Sequence, residues 1–239
     1  MGYRENVDFE LPQHVRLPSA SAAEQVVAAL RRLIIEGGIP PGARLREAQL
    51  TAGFDVSRQT VREAIRALVH DGLVRHDRHR GAVVVELNER DVADIFTARR
   101  VLESAGVERV AEAGNTAIAD VGHAFELLAV AAPGGVWTDV VNADIAFHRS
   151  LTALTGSPRL VRAFDAITGE LAFCLSVLRH VGQEARTPAT IISEHAVIAG
   201  AVSDRDPDRA KALVAEHLDV YLGRLAASVE ARRDALVEG

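Results

Sequence analysis

Between Val56 and Val74 the chain reads VSRQTVREAIRALVHDGLV, and few local structures accommodate that order of residues. Ser57 suits a helix N-cap, because its hydroxyl can accept a backbone N–H left free at a helix start. Val61, Ala64, Ile65 and Leu68 repeat at helical spacing and make one narrow apolar stripe. Gln59 and Arg62 point away from that stripe, with Arg58 on its flank. Asp71-Gly72 ends the helix, since glycine takes the left-handed C′ conformation without penalty. The product is a short helix with one buried face and a cationic, hydrogen-bonding N-terminal end. Such a helix can lie in a major groove and read base edges. It can equally be an ordinary solvated amphipathic helix, so its neighbours decide.

Those neighbours form a pattern. Ser21 and Glu24 make an S-x-x-E capping box, and Val26, Val27, Leu30, Leu33 and Ile34 continue it as an amphipathic helix to about Glu36. GGIPPG at 37–42 stops it with a rigid turn. A short helix fits Glu47–Ala52, followed by the turn Gly53-Phe54-Asp55. Leu73–His76 and Ala82–Glu86 are β-prone runs joined by DRHRG, a hairpin with Gly81 in its turn. Three helices and a basic-tipped hairpin predict a winged helix-turn-helix over 19–87, preceded at 1–18 by a flexible arm containing Pro12 and Pro18. The net charge of −6 argues against a protein that coats nucleic acid uniformly. Yet from Ser57 to Gly81 six arginines face three acidic residues, a local excess that suits one nucleic-acid module joined to something else. The single cysteine, Cys174, cannot form an internal disulfide and fits a reducing cytoplasm. No apolar run reaches the length of a membrane span, and the N-terminus lacks a signal-peptide pattern.

From Asn88 the pattern changes to long helical segments. They are expected near 89–113, 117–131, 138–155, from 159 to about His180, 189–203, and from Asp206-Pro207 to about Arg232. Six helices joined by short turns predict an antiparallel all-α bundle over 88–235, so the chain is mainly α. Asp144 and His148 are spaced i, i+4 on one inward face with Leu151. His195 shares a stripe with Ile191, Ile198 and Val202, and His217 one with Leu213 and Val220. An ionised carboxylate is costly to bury alone, and a divalent metal would satisfy all four groups together. Each histidine taken singly also fits a hydrogen-bonded core residue. Arg99 lies on one face with Ile95 and Leu102, so its guanidinium points inward and needs an anion. That anion is either an internal carboxylate, Glu103 or Glu170, or a bound ligand. Arg149 is a second basic candidate, rotated about 100° from His148 on its helix.

The motifs PPGARLRE, VSRQTVREAIRALVHDGLV and HRGAVV, in that order, closely resemble the DNA-binding domain of GntR-type bacterial transcription regulators. The resemblance implies that Arg58, Gln59, Thr60 and Arg62, with Ser57 at the helix mouth, contact bases and phosphates. It places His79, Arg80 and Gly81 at a wing tip in the minor groove and Arg44 near the DNA backbone. Glu63 is expected to pair with a neighbouring base instead. Asp55 stands where the family usually has a turn glycine, and Arg46 where a capping serine is common. Residues 89–232 resemble the FadR C-terminal domain, FCD, through R-x-x-L-E at Arg99–Glu103, D-x-x-x-H at Asp144–His148, E-H at Glu194–His195, and His217. One departure is Ser157-Pro158, where many relatives have an asparagine in the turn. By that resemblance Asp144, His148, His195 and His217 hold a divalent ion, zinc first, with nickel or manganese also suited. Open coordination positions would take a small carboxylate effector near Arg99 and Arg149. The implied protein is a cytoplasmic, homodimeric, ligand-responsive repressor of an operon, not an enzyme. A metalloenzyme is the rival of another class, because an open metal position can activate water; no spare general base is evident beside the ligands.

Overall fold

The computed structural model describes residues 21–181 and 187–237, with side chains over 21–176 and 187–225. The expected arm at 1–18 and the side chain of His180 lie outside the described residues. Helix α1 (Ala22–Ile35) begins at its capping box: Ser21 Oγ accepts from the Glu24 N–H at 3.2 Å, and Glu24 accepts from the Ser21 N–H at 2.5 Å. Helix α2 (Glu47–Phe54) starts at Arg46 without a side-chain cap and ends on Asp55, whose φ of 51° is the left-handed conformation the turn requires. Aspartate tolerates that region better than most residues, so the missing glycine does not prevent the turn. Helix α3 (Arg58–His70) follows, with Ser57 Oγ accepting from the Thr60 N–H at 3.1 Å and Gly72 at φ +77° beyond its end.

Strands β1 (Val74–Asp77) and β2 (Gly81–Val84) pair antiparallel, with Val74 opposite Val84 and Asp77 opposite Gly81. Arg44 adds an antiparallel bridge to Val83. The side chains that hold this head together are Leu30, Ile34, Val61, Leu68, Leu73 and Val84, all buried.

Asn88 then opens α4 (Glu89–Val107) through a second capping box. After it come α5 (Asn115–Ala131), α6 (Trp137–Ala153), α7 (Pro158–Asp165), α8 (Thr168–Val181), α9 (Pro188–Ser203) and α10 (Pro207–Val237). The described residues thus hold seven α-helices behind the head, with a short 3₁₀ turn at Ala132–Gly134, not the six expected. The long helix predicted to reach His180 breaks after Asp165, where the Thr168 hydroxyl donates to the Asp165 carbonyl at 2.9 Å. Thr168 and Gly169 are also poor helix formers. Likewise α4 stops at Val107 rather than near Ala113. Arg205, far along the chain, donates to the carbonyls of Val110 at 3.2 Å and Ala113 at 2.7 Å, satisfying them outside a helix.

Two glycines set how the layers meet. At Gly106 an added Cβ would overlap the Leu151 backbone, so α4 and α6 cross at minimum distance. That approach brings Glu103 on α4 against His148 on α6. At Gly169 a Cβ would overlap the Asp71 carbonyl at the end of α3, so the start of α8 abuts the head directly. Arg31 on α1 pairs with the same Asp71, and the Thr138 hydroxyl on α6 donates to Glu36 at 3.3 Å.

Candidate functional site

Apolar periodicity turns one face of each of α6, α9 and α10 inward, and each face carries a histidine. His148, His195 and His217 are buried, and one nitrogen of each lies within 4.8 Å of the others. Ring centroids are 5.3 Å apart for His148 and His195, 5.0 Å for His148 and His217, and 4.7 Å for His195 and His217. Asp144 stands beside two of them, with Oδ1 3.2 Å from His195 Nε2 and Oδ2 3.9 Å from His148 Nε2. The structure therefore gathers all four residues that the sequence singled out, with the three imidazoles as the tight cluster and the carboxylate at its side.

The outward nitrogens fix the rings. His148 Nδ1 is 2.7 Å from Glu103 Oε2, and His195 Nδ1 is 2.7 Å from the Ile191 carbonyl. Both partners are acceptors, so each Nδ1 carries the proton and each Nε2 keeps its lone pair. Among the described residues, His148 Nε2, His195 Nε2 and both nitrogens of His217 are buried without a hydrogen-bond partner. His195 Nε2 lies 3.2 Å from Asp144 Oδ1, yet it makes no hydrogen bond to it, because with the proton on Nδ1 two lone pairs face each other there. Unsatisfied buried nitrogens are costly, and lone pairs converging on one point are what a divalent ion requires. The residues present fit such an ion.

The electrostatics point the same way. Burial, with the neighbouring Arg99 charge, pushes the His148 pKa below 6.5 despite the Glu103 and Asp144 carboxylates. Burial, then the other two imidazoles, pushes His217 well below it. Both rings are thus held neutral, the form that ligates metal. Burial alone would raise the Glu103 carboxyl, but Arg99 and His148 together hold it below its ordinary value.

Arg99 resolves one open alternative. Its Nε donates to Glu103 Oε1 at 2.8 Å, both side chains being fully buried, so Glu103 and not Glu170 is its partner. Its two terminal nitrogens remain buried without hydrogen-bond partners. Arg149 is corrected: it is about half exposed and forks onto Asp165 at 2.6 and 3.1 Å, away from the buried cluster. The 100° rotation from His148 carries it to the outer surface.

Sequence reasoning missed Glu103 as the link between Arg99 and His148; only the i, i+4 spacing to Arg99 hinted at it. It also passed over Tyr221, whose ring centroid lies 4.5 Å from His217 with no motif to announce it.

On the head, Arg44, Ser57, Arg58, Gln59, Arg62, His79, Arg80 and Gly81 are exposed, and Thr60 is half-buried. Ser57 and Thr60 hydroxyls are 2.8 Å apart. Arg62 is paired with Glu47 at 2.9 Å. Glu63 accepts from the Gln59 amide at 2.9 Å, where a basic partner was expected; Gln59, four residues earlier, shares its helix face. In the hairpin turn the backbone N–H groups of His79 and Arg80 donate to Asp77, and Arg80 reaches the Gly42 carbonyl at 3.0 Å. The turn is thereby pinned to the loop after α1.

Two family models match the chain. Residues 22–84 match "Bacterial regulatory proteins, gntR family", and residues 94–220 match "FCD domain". The chain is 30% identical to the uncharacterized HTH-type transcriptional regulator YdhC of Bacillus subtilis (strain 168), covering 80% of this chain and 84% of that one. It is 29% identical to the "Probable D-xylose utilization operon transcriptional repressor" of Paenarthrobacter nicotinovorans, over 89% and 92% of the two chains. A solved transcriptional regulator GntR from Rhodococcus sp. RHA1 superposes with a TM-score of 0.71 at 30% identity, over 86% of this chain and 97% of that one.

Proposed function

This chain belongs to the gntR family of bacterial regulatory proteins, a transcription regulator and not an enzyme, and from that premise we propose a metal-dependent, acid-responsive repressor acting as a homodimer. The observation that carries the proposal is the convergence of three buried imidazoles whose outward nitrogens are largely spoken for and whose inward ones are not. His148, His195 and His217, with Asp144 beside them, would hold the ion, and zinc suits the donor set best, with nickel or manganese as alternatives. Bound there, the ion supplies a Lewis-acidic centre with positions left for a small carboxylate. Arg99 supports an anionic ligand, because its terminal N–H groups are buried without acceptors and its positive charge is only partly answered by Glu103.

At the other end, two copies of residues 19–87 would place α3 in successive major grooves of a pseudo-palindromic operator, in the bacterial cytoplasm. Arg58, Gln59, Thr60 and Arg62 face the bases and phosphates, Arg44 the backbone, and His79, Arg80 and Gly81 the minor groove. The relative named as a probable operon repressor supports the sign of regulation. Ligand closure is felt by the head along two routes: α4, which starts directly after it and bears Glu103, and α8, which abuts Asp71. An acid changes DNA affinity only if it binds the two arrangements of the head unequally.

The test is a gel shift of the metal-loaded protein on its own upstream region with small carboxylates. Release of DNA by an acid that also raises the melting temperature supports the proposal. Normal metal content in His195→Ala would remove the ligand set.

A further inference from the structure

The three imidazoles are not equally prepared. His148 and His195 already give their Nδ1 protons to Glu103 and to the Ile191 carbonyl, at 2.7 Å each. His217 does not: both its nitrogens are buried without a hydrogen-bond partner. Its plane is nonetheless fixed, because His148 stacks on one side at 5.0 Å and Tyr221 lies tilted against it at 4.5 Å. What its edge meets is Glu194, whose Oε2 is 3.9 Å from Nδ1. The other carboxylate oxygen, Oε1, is 3.7 Å from Arg224 Nη1, so Glu194 stands between a ligand histidine and a cation. Glu194 is only partly exposed, at 26%, and adjoins His195 on α9, while His217, Tyr221 and Arg224 are all on α10.

A histidine that ligates through one nitrogen gives its other N–H to an acceptor, and that outer bond orients the ring and raises its basicity. Each of the other two rings shows this outer bond on Nδ1. For His217 the neighbouring acceptor is Glu194.

We infer that Glu194 is the outer partner of His217, closing from 3.9 Å to hydrogen-bond distance of Nδ1 when the ion is held, and so drawing α9 and α10 together. Glu194 is a positioning residue here; it touches no ligand itself. The inference rests on the metal reading above. It makes one of the three sites conditional: His148 and His195 are set by folding, whereas His217 is set by metal loading.

The experiment is a competition titration of Zn²⁺ against a chromophoric chelator, on the full-length protein and its Glu194→Ala and Glu194→Gln variants. Glu194→Ala should bind Zn²⁺ about 10- to 100-fold more weakly than wild type. Glu194→Gln, whose amide oxygen can still accept the proton, should recover part of that loss. In proton NMR, adding Zn²⁺ to the wild type should bring up a downfield Nδ1–H resonance that is missing from Glu194→Ala and, as assignment, from His217→Ala. A Zn²⁺ affinity within twofold of wild type in both Glu194 variants overturns the inference while leaving the metal site standing. Failure of wild type to take up Zn²⁺, or uptake unaffected by His195→Ala, overturns the metal reading and this inference with it.

Discussion

Arg62 on α3 is 54% exposed and paired with Glu47, itself 41% exposed, whereas Arg99 on α4 is fully buried and paired with a fully buried Glu103. The same two kinds of side chain are therefore used in opposite ways by the two halves of the molecule. In the head the pair is screened and exchangeable: it contributes at most about 1 kcal/mol, and a phosphate can replace the carboxylate at little cost. In the bundle, desolvation makes each partner dependent on the other, and Glu103 also holds His148 through its Nδ1. A surface that must accept a polyanion needs ion pairs that are easily broken. A pocket that must keep its geometry needs ion pairs that are not.

The comparison can be broken hardest at Glu103. Glu103→Ala should destabilise the protein by about 3–5 kcal/mol, since it leaves a buried guanidinium without its anion, whereas Glu47→Ala should cost less than about 1 kcal/mol. Chemical denaturation of both variants decides it, and equal losses would remove the contrast. Next in size is the joint between the halves: Gly169→Ala should cost about 1–3 kcal/mol through overpacking against Asp71, and should shift head-to-bundle distances in a spin-label measurement. Unchanged distances would mean that the α8 contact does not set the head's position.

Arg58→Ala and Arg62→Ala should each weaken operator binding by about 1–3 kcal/mol while leaving melting and metal content intact. A lowered melting temperature in either would say that the surface arginines are structural after all. Smaller, and dependent on pH, is the effect of Cys174, whose thiol burial pushes up to about 12 from 9.0. The folded thiol keeps its proton while the unfolded one loses it, so stability falls as pH rises through 9 toward 12, by on the order of 1 kcal/mol per pH unit. Cys174→Ala should lose that slope relative to wild type. Smallest of all, Arg149→Ala should change stability by less than about 1 kcal/mol and leave acid binding untouched, because its Asp165 partner is exposed.

The head was legible in the sequence almost residue by residue. Caps at Ser21 and Ser57, the stop at Gly72 and the hairpin at Gly81 are local devices, each acting within a few residues of itself. The bundle was legible as helices and largely as inward faces: spacing and stripes named Asp144, His148 and His195, whereas for His217 the inward neighbours are Val214, Leu218 and Tyr221, and the expected Val220 is 40% exposed. What failed there failed for two reasons. The early end of α4 and the two-sided role of Glu103 depend on partners far along the chain, whereas the break after Asp165 turns on a local Thr168 bond that apolar periodicity does not reveal.

The sequence by itself determined which segments are helical, which faces are apolar, and which side chains carry charge or a lone pair into the interior, because periodicity and capping are written in neighbouring residues. Only the tertiary structure decided that His148, His195 and His217 converge, that Glu103 rather than Glu170 answers Arg99, and that the head rests on Gly169. Those outcomes are set by how helices pack: the α4–α6 approach that joins Glu103 to His148 needs no Cβ at Gly106, and the contact with the head needs none at Gly169, each opposite a backbone far away in the chain.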